Sequence, residues 1–406
     1  MMKYIRNLLL FSGMMAFLLN HSLESLFDTS GYAIGAFFII FGVLVSRWRK
    51  SYSKRFVLFL LIMISTCLIH YQLGRISVGF FETFLCYVVF PTLAYVISID
   101  DVDQDIIIKF VGLTGILSFI GTSLYYLNIF YELGQFSIIF KPEITITFGE
   151  IQLKNTSIYG SSLIAGVMAL VQASCCAFLL KKGHSKVWWI VFILCLIVLF
   201  ASLSRRAFVP LLVVIFYLIQ DLSIVKKRNF GFSVLIVFGV LAFALPDISL
   251  EVFNRFISIF DIGSGSNNVS RLEAIWFGVT QIFVNPFGTG FGSLSSVGKE
   301  LDDLLYDPKS LEGFLGVTES FYVTAIGEIG LIQCYVIAVI FVGKYKLVFT
   351  DQRMKMILLP IIVESIAGLS FLNPLISLFC FMCVFPEIRL HKSRLIIQSD
   401  LSKAVI

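Results

Sequence analysis

Long stretches of apolar residues recur along this chain, and they restrict its fold more than any motif does. A helix of about 20 apolar residues matches the hydrocarbon thickness of a bilayer, where every backbone polar group must be bonded within the chain. Twelve such stretches fall at 4–20, 31–46, 55–70, 76–98, 106–130, 158–180, 187–203, 207–222, 231–247, 317–343, 354–370 and 372–388. At about 20 residues each they use roughly 240 of the 406 positions, which leaves no room for a large soluble domain. Composition agrees, since 58% of residues are hydrophobic and 14% charged, whereas a water-soluble domain carries about 25% charge. The expected fold class is all-α, a polytopic integral membrane bundle of about 12 transmembrane helices. A water-soluble enzyme is excluded. The first stretch has no small-residue cleavage site and a second follows at once, so it reads as a span and not as a cleaved leader.

Cytoplasmic flanks of spans hold the excess of Lys and Arg. With the N-terminus inside, 22 of the 31 basic residues fall on inner loops, so both termini are expected in the cytoplasm. The acidic run Asp100, Asp101, Asp103 and Asp105 opposes this. Spans 1–9 are expected in 1–247, a large outer loop in 248–316, and spans 10–12 with a cytoplasmic tail in 317–406. Pro360, Pro374 and a tight connection near Asn373 leave a re-entrant hairpin as the alternative to the last two spans. The eight cysteines all lie in apolar stretches and read as packing residues, Cys380-x-x-Cys383 included, since no βαβ unit surrounds it. The net charge of +5 is explained by membrane topology and gives no reason to expect a nucleic-acid partner.

Two outer loops are long enough to hold structure. In the first, Ile144-Thr145-Ile146-Thr147 alternates as a short strand or a gate would. In the second, Ser270-Arg271-Leu272-Glu273 reads as a capping box. Leu272, Ile275, Trp276, Val279, Ile282 and Phe283 then share one helical face up to Pro286. This predicts an amphipathic helix over about 270–285. It either lies on the outer membrane surface with Trp276 at the headgroup level or packs on the bundle.

Basic residues at the outer side run against the positive-inside bias and need a reason. Arg205 and Arg206 follow a span directly. Their guanidinium groups either offer bidentate donors to a phosphate or snorkel to lipid headgroups. Arg271, in the first turn of the predicted surface helix, forms an anion-binding pole with the free N–H groups there, or pairs with Asp261 or Glu273. Arg75, between two spans, either joins that site or serves its loop. Among the intramembrane carboxylates Glu82, Glu319, Glu328 and Glu364, Glu319 stands nearest the outer face. Partial desolvation suits it to accept a proton from a hydroxyl, unless an arginine neutralises it. Glu328 lies about nine residues deeper and reads as structural. Gly288-Thr289-Gly290-Phe291-Gly292 lacks the preceding strand of a nucleotide loop and reads as a tight turn whose N–H groups approach a ligand. No metal-ligand spacing occurs, and no cofactor is expected.

Leu203-Ser204-Arg205 at a span end, Arg271 with Trp276, Asn285-Pro286-Phe287-Gly288-Thr289-Gly290-Phe291-Gly292, Glu319-Ser320-Phe321-Tyr322 and Glu328-Ile329-Gly330-Leu331 occur in that order. The ordered set, over about 195–345, resembles the bacterial O-antigen polymerase and ligase superfamily of the Wzy type. The resemblance implies a metal-independent glycosyltransferase. Its substrate would be undecaprenyl-diphosphate-linked oligosaccharide at the periplasmic face of the inner membrane, polymerised into O-antigen or capsular-type polysaccharide. It implies that Arg205 and Arg271 hold the diphosphate, assisted by Arg206, and that Glu319 is the candidate base. Trp276, Tyr306 and Tyr322 are candidates either for sugar stacking or for core and interface packing, and Gly288 and Gly290 for close backbone approach. The ligase branch carries a His-Asn type motif where Thr318-Glu319-Ser320 stands here, so the chain is more similar to a polymerase. Expected partners are the lipid-linked oligosaccharide, membrane lipids, and a chain-length regulator and flippase of the same pathway. A ligase and a lipid-linked sugar transporter are the alternatives.

Overall fold

The structure, a computed structural model, describes residues 2–45, 54–75, 80–99, 104–131, 139–140, 143–147, 150–220, 266–294, 320–341, 352–366 and 372–380. The expected span at 231–247 lies outside these, as do Glu319, Tyr306, Cys383, Asp100, Asp101 and Asp103. The described chain is mostly helical. Three of its helices are long and apolar enough to cross a membrane, or four if one bent pair counts as a single span.

Helices α1 (Met2–Leu18), α2 (Asn20–Phe27) and α3 (Gly31–Val45) form a hairpin. A Cβ on Gly13 would stand 2.8 Å from the Gly35 carbonyl, and one on Gly35 equally close to the Gly13 carbonyl. The bare glycines therefore let the two backbones cross in contact, a packing device suited to a lipid solvent. Helix α4 (Lys54–Gln72) is one of the three long ones. The expected span at 76–98 is composite. Short α5 (Phe80–Phe84) widens into a π turn over Leu85–Val89 before α6 (Phe90–Ile99). Pro91, in the first turn of α6, has no N–H to return to residue 87.

Helix α7 (Gln104–Tyr131) leads to an antiparallel hairpin of β1 (Glu143–Thr147) and β2 (Glu150–Lys154), with Glu143 opposite Lys154 and Thr147 opposite Glu150. The alternation at 144–147 is thus a strand, and among the described residues the other regular elements are helical. Helix α8 (Ser162–Lys181) is the centre of the molecule, with 83% of its apolar window buried. It packs against α7, α9 (Val187–Ala201) and α10 (Arg205–Ile219). Between α7 and α8 the Gln172 amide donates to Thr114 Oγ1, Ser118 Oγ and Tyr159 Oη at 3.0, 3.0 and 3.1 Å. The polar side chains of Thr114, Ser118, Tyr159 and Gln172 thus partner one another, as a hydrocarbon surround favours.

Helix α11 (Ser266–Val284) begins four residues before the predicted cap, so Ser270 is interior to it and the capping-box reading fails. Arg271 is its sixth residue, one turn inside the helix and not in the first turn where the sequence predicts it. The expected span at 317–343 is not one helix. It divides into α12 (Phe321–Ile329) and α13 (Leu331–Phe341), bent by 105° at Gly330. Gly330 adopts φ +106, ψ 143, a backbone state essentially reserved for glycine. A π turn over Met354–Leu358, α14 (Leu359–Glu364) and a last helix, α15, over 374–380 complete the described chain.

Candidate functional site

Two assemblies gather the polar residues that the sequence marks, and α12 joins them. At its C-terminal end the glycine turn folds onto the break. Thr289 and Gly290 donate their N–H groups to the carbonyls of Gly327 and Glu328 at 2.9 and 3.3 Å. Gly288 (φ +92) and Gly290 (φ +109) are left-handed, and a Cβ on them would stand 2.3 Å from the Glu328 carbonyl and 2.2 Å from the Arg75 carbonyl. Arg75, beyond the end of α4, donates Nη1 to the Gly288 carbonyl at 2.5 Å and Nη2 to Asn285 Oδ1 at 3.1 Å. The His70 Nε2 lies 3.1 Å from the Phe287 carbonyl, which can only accept, so the ring proton sits on Nε2.

Glu328 closes this knot. It is fully buried, and its carboxylate accepts the Leu294 N–H at 3.0 Å and the Tyr87 hydroxyl at 3.1 Å. The π turn carries Tyr87, and Phe291 packs beside its ring at 5.7 Å. A structural role for Glu328 follows directly from these contacts. The expected ligand-facing role of the turn does not, because the N–H groups of Gly288, Thr289 and Gly290 all reach protein carbonyls. Arg75 likewise gives two of its donors to the turn, which is the loop role.

The N-terminal end of α12 enters a different corner. Phe321 donates its N–H to the Ser365 carbonyl at 3.2 Å, and the Tyr322 hydroxyl donates to the Ile362 carbonyl at 3.0 Å. Helix α14 packs in turn against α10. Lys355 Nζ, at the start of the preceding π turn, lies 5.9 Å from the centre of the Tyr217 ring near the end of α10. The two helices therefore run in opposite directions, and Glu364 and Ser365 lie toward the start of α10. That start holds Ser204, Arg205 and Arg206.

The corner is unusual in its hydrogen bonding. Ser204 precedes α10 in extended conformation but makes no side-chain cap, although a serine there normally bonds the second or third N–H of the helix. Its hydroxyl and that of Ser365 are buried without a hydrogen-bond partner. Leu203, just before, is held at φ +53, a conformation costing a branched side chain about 1–2 kcal/mol. Glu364, 2% exposed, is a second buried carboxylate at this corner.

No family model and no curated protein matches the chain. Arg205 and Arg206 begin α10, the side chain of Arg205 lying outside the described ones and Arg206 half-buried. Arg271 lies within α11, its side chain likewise outside them. Glu319 is outside the described residues, and its neighbour Ser320 is buried. Trp276 is 72% exposed and Phe283 74%, while Ile282 is buried. Since α11 packs against α12, it rests on the bundle with one edge and presents aromatic residues with the other. Tyr322 commits its hydroxyl to the protein. The sequence reading missed Ser365, Ser204's free hydroxyl and the placement of Glu364. Glu364 was visible as a carboxylate in an apolar stretch, and Ser365 carried no signal.

Proposed function

We propose that the chain is a glycosyltransferase of the bacterial inner membrane that polymerises lipid-diphosphate-linked oligosaccharide repeat units at the periplasmic face. Twelve spans with both termini cytoplasmic belong to this reading. The observation that carries it is the Phe321 to Ser365 hydrogen bond. Through α14 it draws the segment that follows Glu319 to the helix that begins with Arg205 and Arg206. An arginine pair and unpartnered buried hydroxyls suit a diphosphate leaving group, whose negative charge grows as the glycosyl bond breaks. Glu319 takes the proton of the attacking sugar hydroxyl.

Deleting the gene in its host and resolving surface polysaccharide by gel electrophoresis tests the reading. Loss of a polymerase leaves a single repeat unit on the lipid A-core, whereas loss of a ligase leaves bare core with glycan held on its lipid carrier. A plasmid carrying Glu319→Gln is expected to restore no ladder while the protein is made and inserted. An unchanged ladder after deletion overturns the proposal.

A second reading draws on the break at Gly330. Discontinuous membrane helices are common in secondary transporters, where the half-helix ends face the substrate. A transporter predicts uptake of lipid-linked sugar into proteoliposomes with no lengthening of the glycan.

A further inference from the structure

Trp276, Thr280 and Phe283 fall on one face of α11, and Phe287 follows just beyond its end. The three aromatic side chains of this face are exposed. Thr280, Gln281 and Asn285 are the polar side chains among residues 275–287 besides the Trp276 indole, and no charged residue falls there. All three are engaged within the protein. The Thr280 hydroxyl donates to the Trp276 carbonyl at 3.0 Å. Asn285 donates Nδ2 to Gln281 Oε1 at 3.1 Å and accepts Arg75 Nη2 on Oδ1 at 3.1 Å. The opposite side of the helix holds buried Gly278 and Ile282. A Cβ on Gly327 of α12 would stand 3.8 Å from Ile282 Cγ1, which places that side against the bundle. The side chains of Arg271 and Glu273, nearer the start of α11, lie outside the described ones.

A helix that lies in water spends its outward face on polar side chains. Here the outward face is apolar and its hydroxyl is turned back on the helix, the arrangement that a hydrocarbon surround favours. The patch is also continuous with the outer side of the bundle. The Phe287 carbonyl accepts the His70 Nε2–H of α4 at 3.1 Å and Gln333 Nε2 of α13 at 3.3 Å, and the Pro286 carbonyl accepts the Ile332 N–H at 3.3 Å. The same ends of α4 and α13 expose Leu68, Tyr71, Ile332 and Tyr335. Only 22% of the apolar window of α4 is buried, so this span-length helix leaves most of its apolar surface to lipid. We propose that the Trp276–Phe283–Phe287 face docks on the membrane itself. Helix α11 lies in the leaflet that the C-terminal end of α4 reaches, with this face about 5–10 Å into the headgroup–acyl boundary. The Trp276 indole N–H then finds its partners at the headgroup level. The face is separate from the Ser204–Ser365 corner, and its occupant does not depend on the reaction proposed there.

Fluorescence quenching in phosphatidylcholine vesicles tests the proposal on the full-length protein. The chain has 4 tryptophans, so the emission of Trp276 is read as the difference between the parent and Trp276→Phe. Lipid brominated near the carbonyl end of its acyl chains is expected to remove most of this difference emission. Lipid brominated near the terminal methyl should remove less, and iodide on both sides of the vesicle should remove little. Phe283→Trp in the Trp276→Phe background moves the reporter about two turns along the same face, and it is expected to repeat the pattern. Iodide as the main quencher at both positions puts the face in water and overturns the proposal. Protection from every quencher means that another part of the chain or a second copy covers the face, and it overturns the proposal equally. Stronger quenching from the methyl end than from the carbonyl end places α11 in the bilayer interior and overturns the interfacial seat.

Discussion

The two ends of α12 handle their polar groups differently. At Gly330 the charged groups bond within the protein, while His70 Nδ1 and Gln333 Oε1 stay buried without hydrogen-bond partners. Arg75, the glycine turn and Glu328 exchange hydrogen bonds with one another, with Tyr87 and with Leu294. At Phe321 the corner stays open, and the hydroxyls of Ser204 and Ser365 are buried without partners. A buried hydroxyl left unbonded costs about 1–3 kcal/mol, and Leu203 adds backbone strain beside it. The contrast teaches where to look for chemistry. Glycines and an arginine that resemble a ligand cradle in sequence are engaged by the protein itself, while two plain serines keep unbonded buried hydroxyls.

Substitutions can break this comparison. The largest effect is expected for Gly288→Ala, whose Cβ meets the Glu328 carbonyl. It should cost about 4 kcal/mol or more, read as loss of the thermal unfolding transition in detergent. Gly74→Ala is its control, because Gly74 is also left-handed (φ +67) but faces open space; about 1 kcal/mol is expected there. Glu328→Ala strands the Leu294 N–H and the Tyr87 hydroxyl and should cost about 3 kcal/mol. Arg75→Lys keeps the charge but loses the two-pronged contact, for about 1 kcal/mol. Opposite in sign are Ser204→Ala and Ser365→Ala, which remove an unbonded buried hydroxyl and are expected to stabilise by about 1 kcal/mol, with polymer length on the gel reduced several-fold. Should either serine variant destabilise as much as Glu328→Ala, the corner is structural and the comparison collapses.

Local signals in the sequence carried over well. Apolar runs at 31–46, 55–70 and 106–130 are helices, and the strand at 144–147 sits where alternation placed it. Glu328 was legible as structural because, about nine residues from Glu319 and nearly half a helix turn round, it cannot act with it as a close pair. The break at Gly330 was not legible, since one glycine barely alters the hydropathy of 317–343, and the neighbours that leave no room for a Cβ there, Phe287 and Gly288, are distant in sequence. The start of α11 was misplaced because Ser270 and Glu273 imitate a capping box within the helix. Partners more than 200 residues apart, such as Arg75 and Gly288, leave no periodic trace in a single sequence. For the same reason Ser365 passed unnoticed, as its neighbour in space is Phe321.

The shortness of α12 bears on how the protein is made. Nine residues at about 1.5 Å each reach roughly 14 Å, half the hydrocarbon thickness. A translocon that sorts segments by the hydrophobicity of a full-length helix has too little here to recognise as a span. The N–H of Phe321 has its acceptor on Ser365, which leaves the ribosome later. Until then the N-terminal end of α12 lacks its acceptor, although its other end already meets α11 and the glycine turn, so the corner that holds Ser204, Arg205 and Arg206 is finished among the last parts of the molecule. Nascent chains halted before Ser365 should therefore leave residues near 321 accessible to a membrane-impermeant thiol reagent after cysteine substitution, and chains released beyond it should protect them.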